Sequence, residues 1–220
     1  MSQEKRWSLR WLSLGLVMGL ALTSVSQVEA QRAAAGPPDW PCVQRLIPEL
    51  AWGTLWTGPS LDELEQEWWE DDEIARVARF AISRSTPEEQ ALARVSEFVE
   101  SIDPSDAAAE QRLTQLFAGL YELTNRERRR TIDRIRGASR AQMARLDTIS
   151  GMVDELEIQR SNADSAADQA EADRLAEALF WEQRTFQHRQ QALPALCEQP
   201  YLLEEQLSRM VRVIMARMPG

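Results

Sequence analysis

Two cysteines, Cys42 and Cys197, and a single histidine, His188, are the residues of this 220-residue chain best suited to covalent or metal chemistry. A nucleophilic thiol needs an activating base and an orienting third group, and no such set assembles around His188. Zinc asks for several His or Cys ligands, more than the chain offers. A di-iron bundle needs two Glu-x-x-His pairs, and Thr185 stands where His188 would need its glutamate. Non-covalent haem through His188 and Met143 or Met152 has only those isolated residues behind it, and no Cys-x-x-Cys-His is present for covalent attachment. Gly137-Ala138-Ser139-Arg140-Ala141 has the letters of a nucleophile elbow, but it falls inside a helical run rather than at a strand-turn-helix junction. The expectation is a protein that is not an enzyme and carries no cofactor. The two cysteines are then expected to form a disulfide, the usual fate of an isolated pair in an oxidising compartment.

The N-terminus points to that compartment. Lys5, Arg6 and Arg10 precede an apolar run from Trp11 to Val25, and Val28-Glu29-Ala30 places small residues at the −3 and −1 positions of a cleavage site before Gln31. Residues 1–30 therefore read as a signal peptide, and the mature chain as periplasmic or secreted. Without residues 1–30 the chain holds 22 arginines, 33 acidic residues and no lysine, a net charge of −11. Such a chain is a poor binder of nucleic acid.

Two further groups of residues could recognise a partner. Trp40, Trp52, Trp56, Trp68 and Trp69 crowd into thirty positions; large aromatics anchor both cores and interfaces. They either pin an irregular segment onto a bundle or form a recognition surface. Charge is also segregated. Residues 62–73 hold eight carboxylates and no base, whereas residues 126–145 hold eight arginines against Glu127 and Asp133, a net charge of +6. Arg126, Arg128, Arg129, Arg130 and Arg134 are candidate partner contacts, because guanidinium groups bind carboxylates bidentately; a solvated helix face is the other reading of such a run. The acidic run lacks the Asp/Asn spacing and loop glycine of an EF-hand.

These residues must be positioned by helices. Residues 31–59 are broken by Gly36-Pro37-Pro38, Pro41, Pro48, Gly53 and Gly58-Pro59 and read as an irregular, Trp- and Pro-rich strap. Residues 60–220 read as one all-α domain, a helical bundle of about six or seven helices. Ser60 should cap a helix to Trp69, and a second covers about residues 72–83. Thr86-Pro87-Glu88-Glu89 looks like a capping box, and Asp103-Pro104 like another start. Thr124-Asn125-Arg126-Glu127 repeats the box pattern and should open the first arm of a long antiparallel hairpin, about residues 125–193, turning at Arg160–Asp164. Ile132, Ile135, Ser139, Gln142, Leu146, Ile149, Val153 and Leu156 form its heptad seam, a coiled-coil pattern with a polar break. Pro194 and Pro200 should bracket a connection before a last helix at about 201–218, whose apolar stripe and Arg209, Arg212 and Arg217 make membrane contact a secondary reading. The function expected is an exported scaffold or adaptor that binds another envelope protein or itself, with a periplasmic chaperone or envelope-stress factor as the alternative.

Overall fold

The two longest apolar-periodic runs become two very long helices. In a computed structural model, described for residues 36–219, single 3-10 turns at Trp52–Thr54 and Leu61–Glu63 precede four α-helices: α1 (Asp72–Ala81), α2 (Glu88–Ser101), α3 (Ala109–Ser161) and α4 (Ala166–Met215). The described residues contain no strand, so this part of the chain is all-α. The proposed signal peptide lies outside them. The chain divides into two units at residues 46 and 47. In the first, Gly36 takes a φ of +83°, open to glycine without strain, and the Trp40 indole donates to Gln44 O at 2.7 Å.

Four α-helices correct the six or seven expected, and each discrepancy has a local cause. Thr124 and Asn125 do not start a helix, because α3 runs through them; both are buried, and the Asn125 carboxamide accepts from Leu50 N at 3.1 Å. The stripe of Leu113, Leu116, Phe117 and Leu120 continues in phase into Ile132 and Ile135, so nothing obliges the chain to break. Pro194 and Pro200 lie inside α4 instead of bracketing a loop. Each removes one helix hydrogen bond, and packing overrides that cost: Cys197 and Pro200 are buried, and Leu207, Met210, Val211 and Ile214 beyond them are core residues. The helix expected to Trp69 shrinks to the turn at Leu61–Glu63, although Ser60 still accepts from Asp62 N. Carboxylates three and four apart would repel along a helix, and the irregular path turns Trp68 inward. Pro87, not Thr86, occupies the cap position of α2 and makes no side-chain bond. The start at Asp103-Pro104 is a run of turns, with α3 beginning at Ala109. Helix α1, capped by Asp71 through Glu73 N and Ile74 N, lies where periodicity places it.

The second unit has its main core at the base of the hairpin. Ile74, Val77 and Ala78 of α1 meet Val95 and Phe98 of α2, the Leu113–Leu120 stripe of α3, and Leu207 to Ile214 of α4. Trp56 stacks on Phe117 with ring centroids 4.3 Å apart and planes 4° from parallel.

From this base α3 and α4 run on as an antiparallel pair and turn at residues 162–164. Ser165 starts α4 with a full capping box: its hydroxyl accepts from Asp168 N, and the Asp168 carboxylate accepts from Ser165 N at 3.0 Å. The pair has its own small core of Leu156, Ala172 and Leu179, flanked by Ile149, Met152 and Leu175. The inward seam departs from the expected heptad. Ile132, Ile135 and Ser139 are buried, but Leu146 and Val153 are 49% and 43% exposed, while Arg145 and Met152 take the inner positions.

Candidate functional site

The aromatic cluster is mostly structural in its placement. Trp56 and Trp68 are buried, and their indoles donate to Pro59 O and to Glu122 Oε2, each at 2.8 Å. Trp52 is half-buried against the main core, and Trp40 is buried. Only Trp69 of the five is exposed, edge-on to Trp68. The sixth tryptophan of the described residues, Trp181, is 60% exposed beside the exposed Phe180, the two rings T-shaped at 5.3 Å. This pair was missed in the sequence. Its signal is adjacency: neighbours on a helix point about 100° apart, so when Leu179 faces the seam both aromatics following it turn away.

Arg126, Arg128, Arg129, Arg130, Arg134 and Arg145 of α3 meet carboxylates outside the acidic run 62–73. Arg126 pairs with Glu122 at 2.5 Å, Arg129 with Glu49 at 2.8 Å, and Arg130 and Arg134 approach Glu127 at 3.7 and 3.8 Å. Arg145 pairs across the hairpin with Glu182, and Arg136 and Arg140 are engaged as well. Arg128 is different in kind. Its side chain is buried, and its Nη2 donates to Ile47 O at 3.1 Å and meets Glu204 Oε1 at 2.6 Å. Together with Tyr121 and Asn125, which both bond Leu50, it fastens residues 47–50 to α3. It is therefore a positioning residue rather than an open contact. From the acidic run, Asp71 and Glu73 hold Arg112 at 3.7 and 2.7 Å. No cluster of three or more His, Cys, Asp or Glu suited to a metal ion occurs among the described residues.

Cys42 and Cys197 are both disulfide-bonded, and neither is free. His188 is exposed on α4, in a shallow depression with Trp181 and Arg184. A larger groove of about 540 Å3 opens between the arms of the hairpin. Ala138, Ala141, Leu193 and Leu196 make its floor, Arg134 and Arg189 its rim. Gln142 crosses the pair here, donating to Phe186 O at 3.1 Å, while its Oε1 is buried without a partner.

The remaining surface of chemical interest is one flank of the distal hairpin. Antiparallel helices present the residue that follows an inward position on the same side. Leu146 follows Arg145, Val153 follows Met152, and Phe180 follows Leu179, so these three exposed side chains share a flank. No third helix contributes to the small core beneath them. No described helix is long and apolar enough to cross a membrane. No family model, curated protein or solved structure matches the chain.

Proposed function

We propose that the chain is an exported, non-enzymatic protein-binding module of the bacterial envelope, whose working part is the distal half of the α3–α4 hairpin. The observation that carries this reading is the exposed apolar flank over a core built from hairpin residues alone. Two packed helices cover one face of each other and leave the remaining faces to water or to a partner. Leu146, Val153 and Phe180 lie 43–52% open there, and aromatic and aliphatic side chains of this kind anchor interfaces. The absence of an assembled acid, base or nucleophile set in the sequence supports binding over catalysis. A chaperone is the second reading, favoured by the Ala- and Leu-floored groove with its arginine rim.

A photo-crosslinking residue placed at Phe180 or Val153 of the exported chain tests the proposal. One or a few adducts of defined mass are expected. A smear of many masses would favour the chaperone reading, and no adduct at either position would overturn both. Intact-mass analysis of the same preparation should show a chain beginning at Gln31.

A further inference from the structure

We infer that the apolar flank pairs with the same flank of a second copy, the two hairpins antiparallel about a twofold axis near Leu146. The inference rests on the protein-binding reading above and names the partner. Charge order along the hairpin carries it. From Asp147 to Glu177 the distal segment holds nine carboxylates against Arg160 and Arg174, a net charge of −7. The preceding stretch of α3, residues 126–145, has a net charge of +6. The boundary between the two falls at Leu146, at the proximal end of the apolar flank, level with Phe180.

A twofold axis through that boundary lays the acidic segment of each copy along the basic segment of the other. It also sets Leu146 against its own counterpart with Phe180 close by, and lays Val153, about 10 Å further along at 1.5 Å per residue, over the other copy at the level of residue 139. Aligning the hairpins in parallel would instead place −7 against −7. One surface that carries both complementary halves, in this order, is what an isologous interface requires. Arginines of the overlapping stretch are accessible for it: Arg130 and Arg134 have side chains 65% and 48% exposed, and Arg140 is exposed. Arg130 and Arg134 reach Glu127 within the chain only at 3.7 and 3.8 Å, so intermolecular carboxylates can add to what these guanidinium groups bind. With the axis at Leu146 the turn at residue 162 of one copy reaches residue 130 of the other, so the overlap covers residues 130–162, about 48 Å at 1.5 Å per residue, and its basic part, residues 130–145, keeps a net charge of +4. That length suits the roughly 800 Å2 per partner of a standard interface.

Sedimentation velocity on the full disulfide-bonded chain tests this. A dimer is expected at low ionic strength, dissociating toward monomer near 1 M salt, where screening acts within about 3 Å. Leu146→Asp with Val153→Asp should yield a monomer of unchanged helical circular dichroism, because both positions are exposed. A charge exchange gives the decisive readout. One variant carries Asp154→Arg, Glu155→Arg and Glu157→Arg; a second carries Arg130→Glu, Arg134→Glu and Arg140→Glu. Each alone should dimerise at least tenfold more weakly, and an equimolar mixture should recover a heterodimer. A wild-type chain that stays monomeric at about 100 μM in low salt would overturn the inference, as would a dimer indifferent to both sets of changes. Crosslinks from Phe180 to a different envelope protein would then leave the protein-binding reading standing. Absence of any crosslink would remove both.

Discussion

At Gly119 a Cβ would sit 3.0 Å from Cδ2 and Cε3 of the Trp68 ring and 3.2 Å from Ala78 Cβ. Helix α1 and the segment carrying Trp68 close onto α3 at a point with no room for a methyl group. Gly119→Ala should therefore destabilise by about 1–3 kcal/mol through overpacking, with the Trp68–Glu122 hydrogen bond strained as the ring shifts. Gly137 and Gly151 are helical glycines with nothing within 4 Å of such a Cβ. There the same change should stabilise by about 0.5–1 kcal/mol through helix propensity, so thermal melts of the three variants should move in opposite directions. Arg128 gives a second prediction at this scale. Its removal leaves Ile47 O and Glu204 without their donor; since Glu204 is only partly buried and can reach water, Arg128→Ala should cost about 2–3 kcal/mol, below the range for a fully buried pair. Urea denaturation would measure it. A third concerns Asp168. The Ser165 hydroxyl and backbone N–H hold its carboxyl below the ordinary 3.8. A depressed carboxylate contributes above its unfolded value and loses that contribution as the pH falls through the lower folded one. Amide protection in the first turn of α4, taken relative to the intrinsic exchange rate at each pH, should thus be high at neutral pH and fall below about pH 3.8, and Ser165→Ala, which keeps the backbone donor, should weaken the dependence.

Helices were legible in the sequence where an apolar stripe ran in phase, and less so where a single residue was asked to mark an end. Helix α1, the turn at residues 162–164 and the stripe through Leu113–Leu120 lie where their spacing puts them. Thr124 and Asn125 look like a start because Thr and Asn cap helices in isolation, but a side chain that caps can equally bond a neighbouring segment, as Asn125 does with Leu50. Pro194 and Pro200 look like a stop because the cost of an interior proline is local, whereas the burial that outweighs it comes from residues far away in the chain. Pro194 is exposed, so its cost has no packing return at its own position. Pro194→Ala should restore the missing rung and raise stability by about 1–3 kcal/mol, read as a higher melting temperature. The arginines of α3 were visible as a charged run. Their partners were not, because Glu49, Glu182 and Glu204 are brought to them only by the packing of α4 and of residues 47–50.

At the scale of the chain, the bonded state of Cys42 and Cys197 has a thermodynamic weight that reduction can read. Opening so long a loop releases about 4–5 kcal/mol of denatured-state constraint in the chain-entropy account, so dithiothreitol should lower the urea midpoint sharply with little change in helical content at low denaturant. The main core has a further consequence. It joins residues from Trp56 onward to Leu207, Met210, Val211 and Ile214, and several of its ties span more than a hundred positions, such as Gln206 to Ala81 O and Arg217 to Ile102 O. A ribosome making this chain from the N-terminus has exposed α1, α2 and the first half of α3 long before it supplies the side chains that close over them. Those segments can form turns of helix but no finished interior until residue 214 has emerged. Folding is thus postponed almost to the end of synthesis, and for most of its elongation the polypeptide stays loose enough to be threaded through a narrow channel.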